Sequence, residues 1–506
     1  MLWIFSAAGY TASLVGCALA ARFFLHMFQL NTYQPKAQRA WLRQNARRAP
    51  PLLLPLAGGF FFWPPKKGKV KKPLDITARL KRMIATLGLL FLLWTAVWVC
   101  LPLLWNGKVQ AFQLLSAAWL PQILLPELIL LANAINAPME KAIRDHYTRD
   151  AMRMLREHPK LLIIGITGSY GKTSVKHFLY TLLRGKYNVL MTPGNKNTPM
   201  GVVKVIRESL SAAHEIFLCE MGAKKVGDIQ EICDIVHPTH GVLTSVGPQH
   251  LETFFSLENV VSTKFELARS LPPEGILFAN GEDANIRAEL GRTGRDAVTY
   301  ASQPGGGQYY AEEISVSERG TSFTAIAPDG EKERFTTGLI GRHNVINVVG
   351  AIAVAHALGV PLKELRGQVR KLQPVPHRLQ LIDRGGGVLV IDDAYNANPS
   401  GAAAALATLA LFEGCKILIT PGMVELGEEE ETRNAAFGAQ AAVCDMIALV
   451  GVRRTEPIRR GALEAGFPPE RLVCVDTLEE AMAKAMAYPM PGRKIILLEN
   501  DLPDNY

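Results

Sequence analysis

The sequence predicts an α/β protein in which N-terminal transmembrane helices precede a P-loop central domain with a mainly parallel sheet and a Rossmann-like C-terminal domain. Three observations predict it. Long uncharged runs are confined to the first 137 residues. The apolar run Leu161 to Ile164 feeds straight into Gly165-Ile-Thr-Gly-Ser-Tyr-Gly-Lys-Thr-Ser174. Beyond residue 376, buried-strand patterns alternate with helical ones.

The 506 residues leave room for a membrane region of 1–137, a connector helix at 138–150, a central ATP-binding domain at 151–375 and a C-terminal domain at 376–506. Uncharged stretches at about 2–21 and 83–105 are long enough to span. The stretch 111–135 is too, interrupted by Glu127 and two prolines. The short run 51–63, with Gly58-Gly59, is too short to span and reads as a re-entrant or interfacial element. Basic clusters flank it: Arg39, Arg43, Arg47 and Arg48 before, Lys66, Lys67, Lys69, Lys71 and Lys72 after. Three spans put both clusters and the following body on the cytoplasmic side of a cell membrane, as a multi-pass protein with its N-terminus outside. The clusters serve as topology signals or as attraction for anionic lipid headgroups.

Residues 1–150 hold 18 Lys+Arg against 5 Asp+Glu, leaving 37 against 41 for the rest. The basic excess therefore belongs to the membrane part, which argues against nucleic-acid binding by the body. Seven cysteines without a CxxC pair indicate neither a zinc site nor a disulfide framework.

The glycine-rich loop departs from a strict GxxxxGK[ST] pattern, since Ile166 stands five before Gly171. Its chemistry is still that of a phosphate cradle. Gly168 and Gly171 let backbone N–H groups approach, Ser169 and Ser174 flank them, Lys172 brings an ammonium, and Thr173 offers a hydroxyl to Mg²⁺. Val175, Phe178, Leu179 and Leu182 supply the helical period that must follow. Ile216 to Cys219 then reads as a strand ending in Glu220, and Gly241 to Val246 as another delivering Gly247-Pro-Gln-His250. Polar groups at such strand ends are ligand positions; a surface carboxylate and a satisfied loop histidine are the bland alternatives. Gln308 to Thr337, with turn signals at 317–320 and 329–330, reads as a hairpin insertion. Val388 to Ile391, Lys416 to Thr420 and Met446 to Val450 are strands alternating with helices at Ala402 to Leu411 and Arg433 to Val443.

In this order the motifs resemble the Mur ligase family, and its D-alanyl-D-alanine-adding branch in particular, from about Leu161 to Leu426. Beside the phosphate loop, Thr192-Pro-Gly-Asn-Lys-Asn197 is similar to the branch's asparagine-rich substrate loop, which implicates Asn195 and Asn197. Glu220-Met-Gly-Ala223 and Gln249-His-Leu-Glu252 fall where the family has a magnesium-binding glutamate and histidine. Lys264 matches the lysine that the family carbamylates to hold a second magnesium; read unaided it is an exposed helical lysine beside Glu266. Gly341-Arg-His-Asn-Val-Ile-Asn347 resembles the adenine-contacting segment through Asn344 and Asn347, and Asn344 also suits a helix N-cap. Arg378 matches the domain-junction arginine that approaches the terminal phosphate. In Asp392-Asp-Ala-Tyr-Asn-Ala-Asn-Pro399, Asp393 carries over as the ribose contact and Tyr395, Asn396 and Asn398 as substrate-facing groups.

The resemblance implies ATP and Mg²⁺ as cofactors and amide formation through an acyl phosphate. The catalytic residues would be Lys172, His250, Lys264 and Arg378, with Thr173, Glu220, His250 and Lys264 as the metal set. The partners it implies are a muropeptide or other carboxylate acceptor and an amino acid or dipeptide donor. Two features depart from the branch. Membrane segments stand where the family has its UDP-sugar domain, and Leu498 to Tyr506 lacks the branch's basic Lys-Gly-Ser element. The first departure raises a lipid-linked acceptor. A poly-γ-glutamate-synthase-like polymer ligase and a non-catalytic ATP-binding scaffold of wall synthesis are the alternatives.

Overall fold

The computed structural model describes residues 2–45, 52–56, 59–63, 73–106, 111–395, 397–452, 454–489 and 492–501; for 2–14, 44–45, 52–56, 59–63, 102, 106, 111–119 and 122 only the backbone is described. Asn396, Arg47, Arg48, Lys66, Lys67, Lys69, Lys71 and Lys72 lie outside the described residues. The chain divides into two compact units near residue 146.

The first unit is helical. Leu2–Leu30 and Pro35–Asn45 open it, and Ala78–Thr95 runs through one π-turn, Ala96–Cys100, into Leu101–Asn106. The next helix, Ala111–Arg156, carries Pro121, Pro126 and Pro138 without a break in its assignment. Residues 138–150 are therefore part of that one long helix and not an element of their own. The run at 51–63 takes an antiparallel hairpin, Leu52–Leu56 against Gly59–Trp63. Aromatic residues Phe60, Phe61, Phe62 and Trp63 favour the strand form. By length and composition two helical stretches can cross a membrane, Ala78–Trp105 and Ile123–Arg156, with Val15–Leu30 a shorter apolar helix.

The second unit is built on two six-stranded sheets. The central sheet is all parallel, ordered Val189–Met191, Ile216–Glu220, Leu162–Thr167, His240–Leu243, Leu277–Asn280, Val298–Tyr300. Side chains alternate across it. Ile164, Ile166, Leu218, Val242 and Phe278 face helices Lys172–Leu183 and Arg342–Ala357, while Ile163, Phe217, Cys219, Leu243 and Leu277 face the helices of 199–236 and 257–270. Both faces are covered, which is why these strands read as continuous apolar runs. The chain leaves Leu162–Thr167 toward one sheet edge and returns on its other side, so the switch point falls at the end of that strand, where the phosphate loop begins.

The predicted hairpin insertion is a three-stranded antiparallel sheet, Tyr310–Ser317, Gly320–Ile326 and Lys332–Thr337, turning at both signalled places. The C-terminal sheet is ordered Gln380–Asp383, Val388–Asp393, Lys494–Glu499, Cys415–Thr420, Met446–Val450, Leu472–Val475, with only the first strand antiparallel. The strand Lys494–Glu499 inserts at its centre, between Val388–Asp393 and Cys415–Thr420. Glu499 thereby stands beside Asp393 in register.

Candidate functional site

The phosphate loop is shaped by glycine at two points. Gly168 has φ +151° and a Cβ there would lie 2.1 Å from the Thr244 hydroxyl; Gly171 has φ +81° and a Cβ would lie 2.7 Å from Asn347 Oδ1. Side chains at either position would break the close approach to the neighbouring strand end and helix. The loop is stitched to residues 244–248. Ser169 N–H donates to Ser245 O at 2.6 Å, its hydroxyl to Gly247 O at 2.9 Å, and Tyr170 N–H to Ser245 Oγ at 2.9 Å. Ser169 is thus turned inward, while Ser174 sits half-buried on the first helical turn.

Lys172, the first residue of helix Lys172–Leu183, lays its ammonium on the loop's own carbonyls, Gly168 O at 2.6 Å and Ser169 O at 3.0 Å. Burial pushes it down to about 8; Glu220 opposes that shift and Arg378 adds to it.

Glu220, at the end of Ile216–Glu220, is fully enclosed by donors. Lys176 Nζ lies 2.8 Å from Oε2, and Asn197 Nδ2 and the Thr173 hydroxyl give hydrogen bonds of 2.9 and 3.2 Å to Oε1. Burial would raise this carboxyl, but the Lys176 ammonium, Lys172 and Asn197 together hold it below the usual range. Lys176 was not singled out by sequence and is 0% exposed. Its position four residues after Lys172 puts it on the same helix face, a spacing that could have revealed it. Asn197 turns toward Glu220, whereas Asn195 is exposed.

Lys264 corrects the unaided expectation of an exposed lysine: it is 1% exposed on helix Leu257–Lys264. Burial first, and then Lys172, push its ammonium well down, against Asp228 and Glu266. Glu266 does not pair with it. That carboxylate instead accepts from Gly227 N and Gln230 N at the start of helix Asp228–Val236, where helix N–H groups favour an anion. His250 takes a left-handed backbone, φ +53°, and its Nδ1 pairs with Glu425. Burial lowers its imidazole, with Glu425 opposing and Lys224 and Lys264 adding.

Asn344 does not cap its helix. Gly341 holds that place, and Asn344 Nδ2 donates to Ile340 O at 2.8 Å. Asn347 is the amide that reaches the phosphate loop. On the C-terminal side the Arg378 guanidinium lies 4.3 Å over the Tyr395 ring. Asp393 accepts from Leu379 N at 3.1 Å, and burial raises it to about 6, Arg378 opposing and Asp392 adding. Glu499, also missed by sequence, is raised well above the carboxylate range by burial and then by Asp393. Asn398 caps helix Pro399–Leu409 through Gly401 N at 2.8 Å, so its side chain is committed to that helix.

These groups form one electrostatic neighbourhood. Lys172 feels Glu220 and Arg378, Lys264 feels Lys172, His250 feels Lys264, and Arg378 acts on Asp393 and Glu499. Two family patterns cover that neighbourhood: the Mur ligase middle domain matches residues 166–355, and the Mur ligase glutamate ligase domain matches 377–498. The Mycobacterium leprae UDP-N-acetylmuramoyl-tripeptide–D-alanyl-D-alanine ligase is 30% identical over 366 residues, 67% of this chain and 70% of that protein. The chain belongs to the Mur ligase family. The Escherichia coli ligase of the same name is 31% identical over 302 residues, 59% of this chain and 66% of its own length. The chain spans about six tenths of the Bacillus subtilis and Haemophilus influenzae relatives, 59% and 60%. Among solved structures, MurF from Acinetobacter baumannii superposes with a TM-score of 0.64 at 26% identity, covering 72% of this chain and 78% of that one. The Thermotoga maritima MurF ligase in complex with ADP gives 0.63 at 27%, covering 71% and 80%.

Proposed function

We propose that this chain is a membrane-anchored, ATP-dependent ligase that forms an amide bond on a peptidoglycan precursor, in the manner of the D-alanyl-D-alanine-adding ligases it resembles. The observation that carries the reading is the single charged neighbourhood linking Lys172, Glu220, Lys264, His250, Arg378 and Asp393 on a fold shared with an ADP-bound MurF.

The residues present fit ATP and Mg²⁺. Hard oxygen donors suit Mg²⁺, and the Thr173 hydroxyl and the Glu220 carboxylate lie together at the phosphate loop. Lys264 is a buried amine driven toward its neutral form and, among the described residues, without a paired carboxylate, the state in which an amine takes up carbon dioxide to become a carbamate. Thr173 and Glu220 would hold one ion, His250 and carbamylated Lys264 a second; bound there, Mg²⁺ supplies positive charge to the phosphates. Lys172 would exchange its loop carbonyls for phosphate oxygens, Asn347 would present its amide to the base, and Asp393 would meet the ribose.

A carboxylate cannot expel oxide, so an amine does not displace it directly. Transfer of the terminal phosphoryl from ATP to a carboxylate oxygen makes phosphate the leaving group. The amine then attacks the acyl carbon, phosphate departs with the carboxylate's oxygen, and the amine's surplus proton goes to solvent or phosphate. Lys172 and Arg378 would stabilise charge on the transferred group, and apposition of the two domains would keep water from the acyl phosphate.

The working division is an anchor over 1–137, a central domain over 151–375 and a C-terminal domain over 376–506, with the catalytic body cytoplasmic. Apolar helices directly before the Mur-ligase-like body favour a lipid-linked acceptor. Purified full-length protein incubated with ATP, Mg²⁺, D-alanyl-D-alanine and either UDP-linked or lipid-linked muropeptide is expected to yield a new amide by mass, with phosphate released in step. Amine-independent phosphate release that survives Lys172→Ala would defeat the proposal.

A further inference from the structure

The first unit holds a polar seam that anchoring alone does not require. Helix Ala78–Thr95 contributes Arg79, Arg82 and Thr86, and helix Ala111–Arg156 contributes Asn133, Asn136 and Glu140. Each trio has spacing of three and then four residues, which sets it on one helix face. Arg82 and Glu140 form a bidentate pair at 2.7 and 2.9 Å. The Thr86 hydroxyl donates to Asn136 Oδ1 at 3.0 Å, and Arg79 Nη2 to Asn133 Oδ1 at 3.1 Å. The Arg79 guanidinium also lies 4.2 Å over the Tyr33 ring.

Two groups in this seam are left over, and both are donors. Arg79 Nε and Asn136 Nδ2 are buried without a hydrogen-bond partner among the described residues, and Asn136 is only 6% exposed. Arg79 has no carboxylate within ion-pair distance among the described residues, while Glu140 is already engaged by Arg82. A buried donor without an acceptor is costly, and the half-buried Arg79 cation adds a charge with no anion beside it among the described residues. The deficit is therefore one of negative acceptor atoms. The seam also sits at a telling depth. It occupies the start of the apolar Ala78–Trp105 stretch, and in the longer helix it follows the run through Ile135 and ends where Glu140 and Lys141 begin the charged part. An oxygen-rich anion at that level of a bilayer is a lipid headgroup phosphate.

We propose that Arg79 and Asn136 form the centre of a binding site for the phosphate of an anionic lipid, held between the two helices at the bilayer boundary. This rests on the membrane-anchored reading above. A bilayer phospholipid and a polyprenyl-phosphate carrier present the same chemistry, and the latter would bring a lipid-linked acceptor to the ligase.

The test uses the full chain. Flotation with liposomes comes first: failure to float removes the membrane reading alone. The seam is then read by native mass spectrometry of protein released from nanodiscs of phosphatidylcholine containing phosphatidylglycerol, and by calorimetry with dihexanoyl phosphatidic acid, which needs no bilayer. Wild type is expected to retain the anionic lipid over the zwitterionic one. Arg79→Gln and Asn136→Leu should each weaken retention about tenfold or more, the loss expected for a buried charge-assisted partner. Arg79→Lys should keep most of it, and exposed Lys81→Gln should change nothing. Melting temperatures show whether each variant is folded, and Arg79→Lys serves where Arg79→Gln is not. Displacement of phosphatidylglycerol by a polyprenyl phosphate assigns the site to the carrier lipid; persistence of phosphatidylglycerol assigns it to a bilayer phospholipid. Equal retention of both headgroups, wild-type retention by folded Arg79→Gln, or no heat with the short-chain phosphatidic acid would overturn the proposal.

Discussion

The two sheets of the second unit use one architectural device with opposite charge. Each is six-stranded, covered on both faces, and delivers its polar groups from strand ends. The central sheet gathers the ammonium groups of Lys172 and Lys176 around the enclosed carboxylate of Glu220, with the buried Lys264 amine close enough to feel Lys172. The C-terminal sheet gathers Asp392, Asp393 and Glu499 around Arg378, with His377 taking up Asp392 at 2.8 Å. The shifts follow suit: burial and like charge depress two lysines on one side and raise two carboxyls on the other. Each end is thus short of the counter-charge its ligand supplies. In the proposed reaction polyphosphate would answer the first, and the ribose hydroxyls and the incoming amine the second.

The largest expected effect breaks the comparison at its best-paired point. Lys176→Met leaves Glu220 buried without its cation and is expected to cost about 3–5 kcal/mol of unfolding free energy. Urea denaturation measures it, and a loss below 1 kcal/mol would mean that the pair is dispensable.

The depressed Lys172 gives a pH signature next in size. A lysine whose folded pKa falls from 10.5 to about 8 costs folding stability below that pH, and the cost is relieved as pH rises. Nucleotide binding runs the other way, because phosphates need the ammonium. ADP affinity by calorimetry should fall about tenfold between about pH 7 and pH 9, and Lys172→Met should flatten the profile.

Glu499→Gln sharpens the acidic side. Burial and then Asp393 hold Glu499 protonated well above its unfolded range, so removing that acid should raise stability at neutral pH by about 1 kcal/mol, while Asp393, raised by burial and Asp392, should still titrate at about 6. Urea denaturation reads the first and carbon-detected NMR of the labelled carboxyls the second, and a fall in the Asp393 value would show that Glu499 ionises with it. The smallest effect concerns caps. Thr198 and Asn398 each precede a proline-initiated helix and accept from Gly201 N and Gly401 N. Thr198→Ala and Asn398→Ala should each cost about 1 kcal/mol, one at each sheet, in the same denaturation assay.

Much of this contrast is legible before any coordinates. The phosphate loop is local chemistry: strand, two glycines, lysine and helix are contiguous, so residues 161–183 describe themselves. Turn residues likewise announced the three-stranded insertion. Lys264 was not legible as a buried residue, because only tertiary packing buries that turn of its helix, where Val260, Thr263 and Phe265 are all 1% exposed or less. Glu499 was hidden for a different reason. No local pattern says that Lys494–Glu499 inserts between Val388–Asp393 and Cys415–Thr420. Asn344 and Asn398 show the converse, since amides suited to ligands can be spent on local backbone. The strand pair Leu52–Leu56 and Gly59–Trp63 shows a limit of reading length and apolarity alone, since neither says whether a short apolar run coils or extends.

The account stands on phosphoryl transfer from ATP to the acceptor carboxylate at the Lys172 site. Labelling that carboxylate with oxygen-18 and collecting the phosphate released during amide formation tests it most directly. One label transferred into each phosphate, lost together with amide formation in Lys172→Ala, is the predicted result. Unlabelled phosphate accompanying amide formation would contradict it.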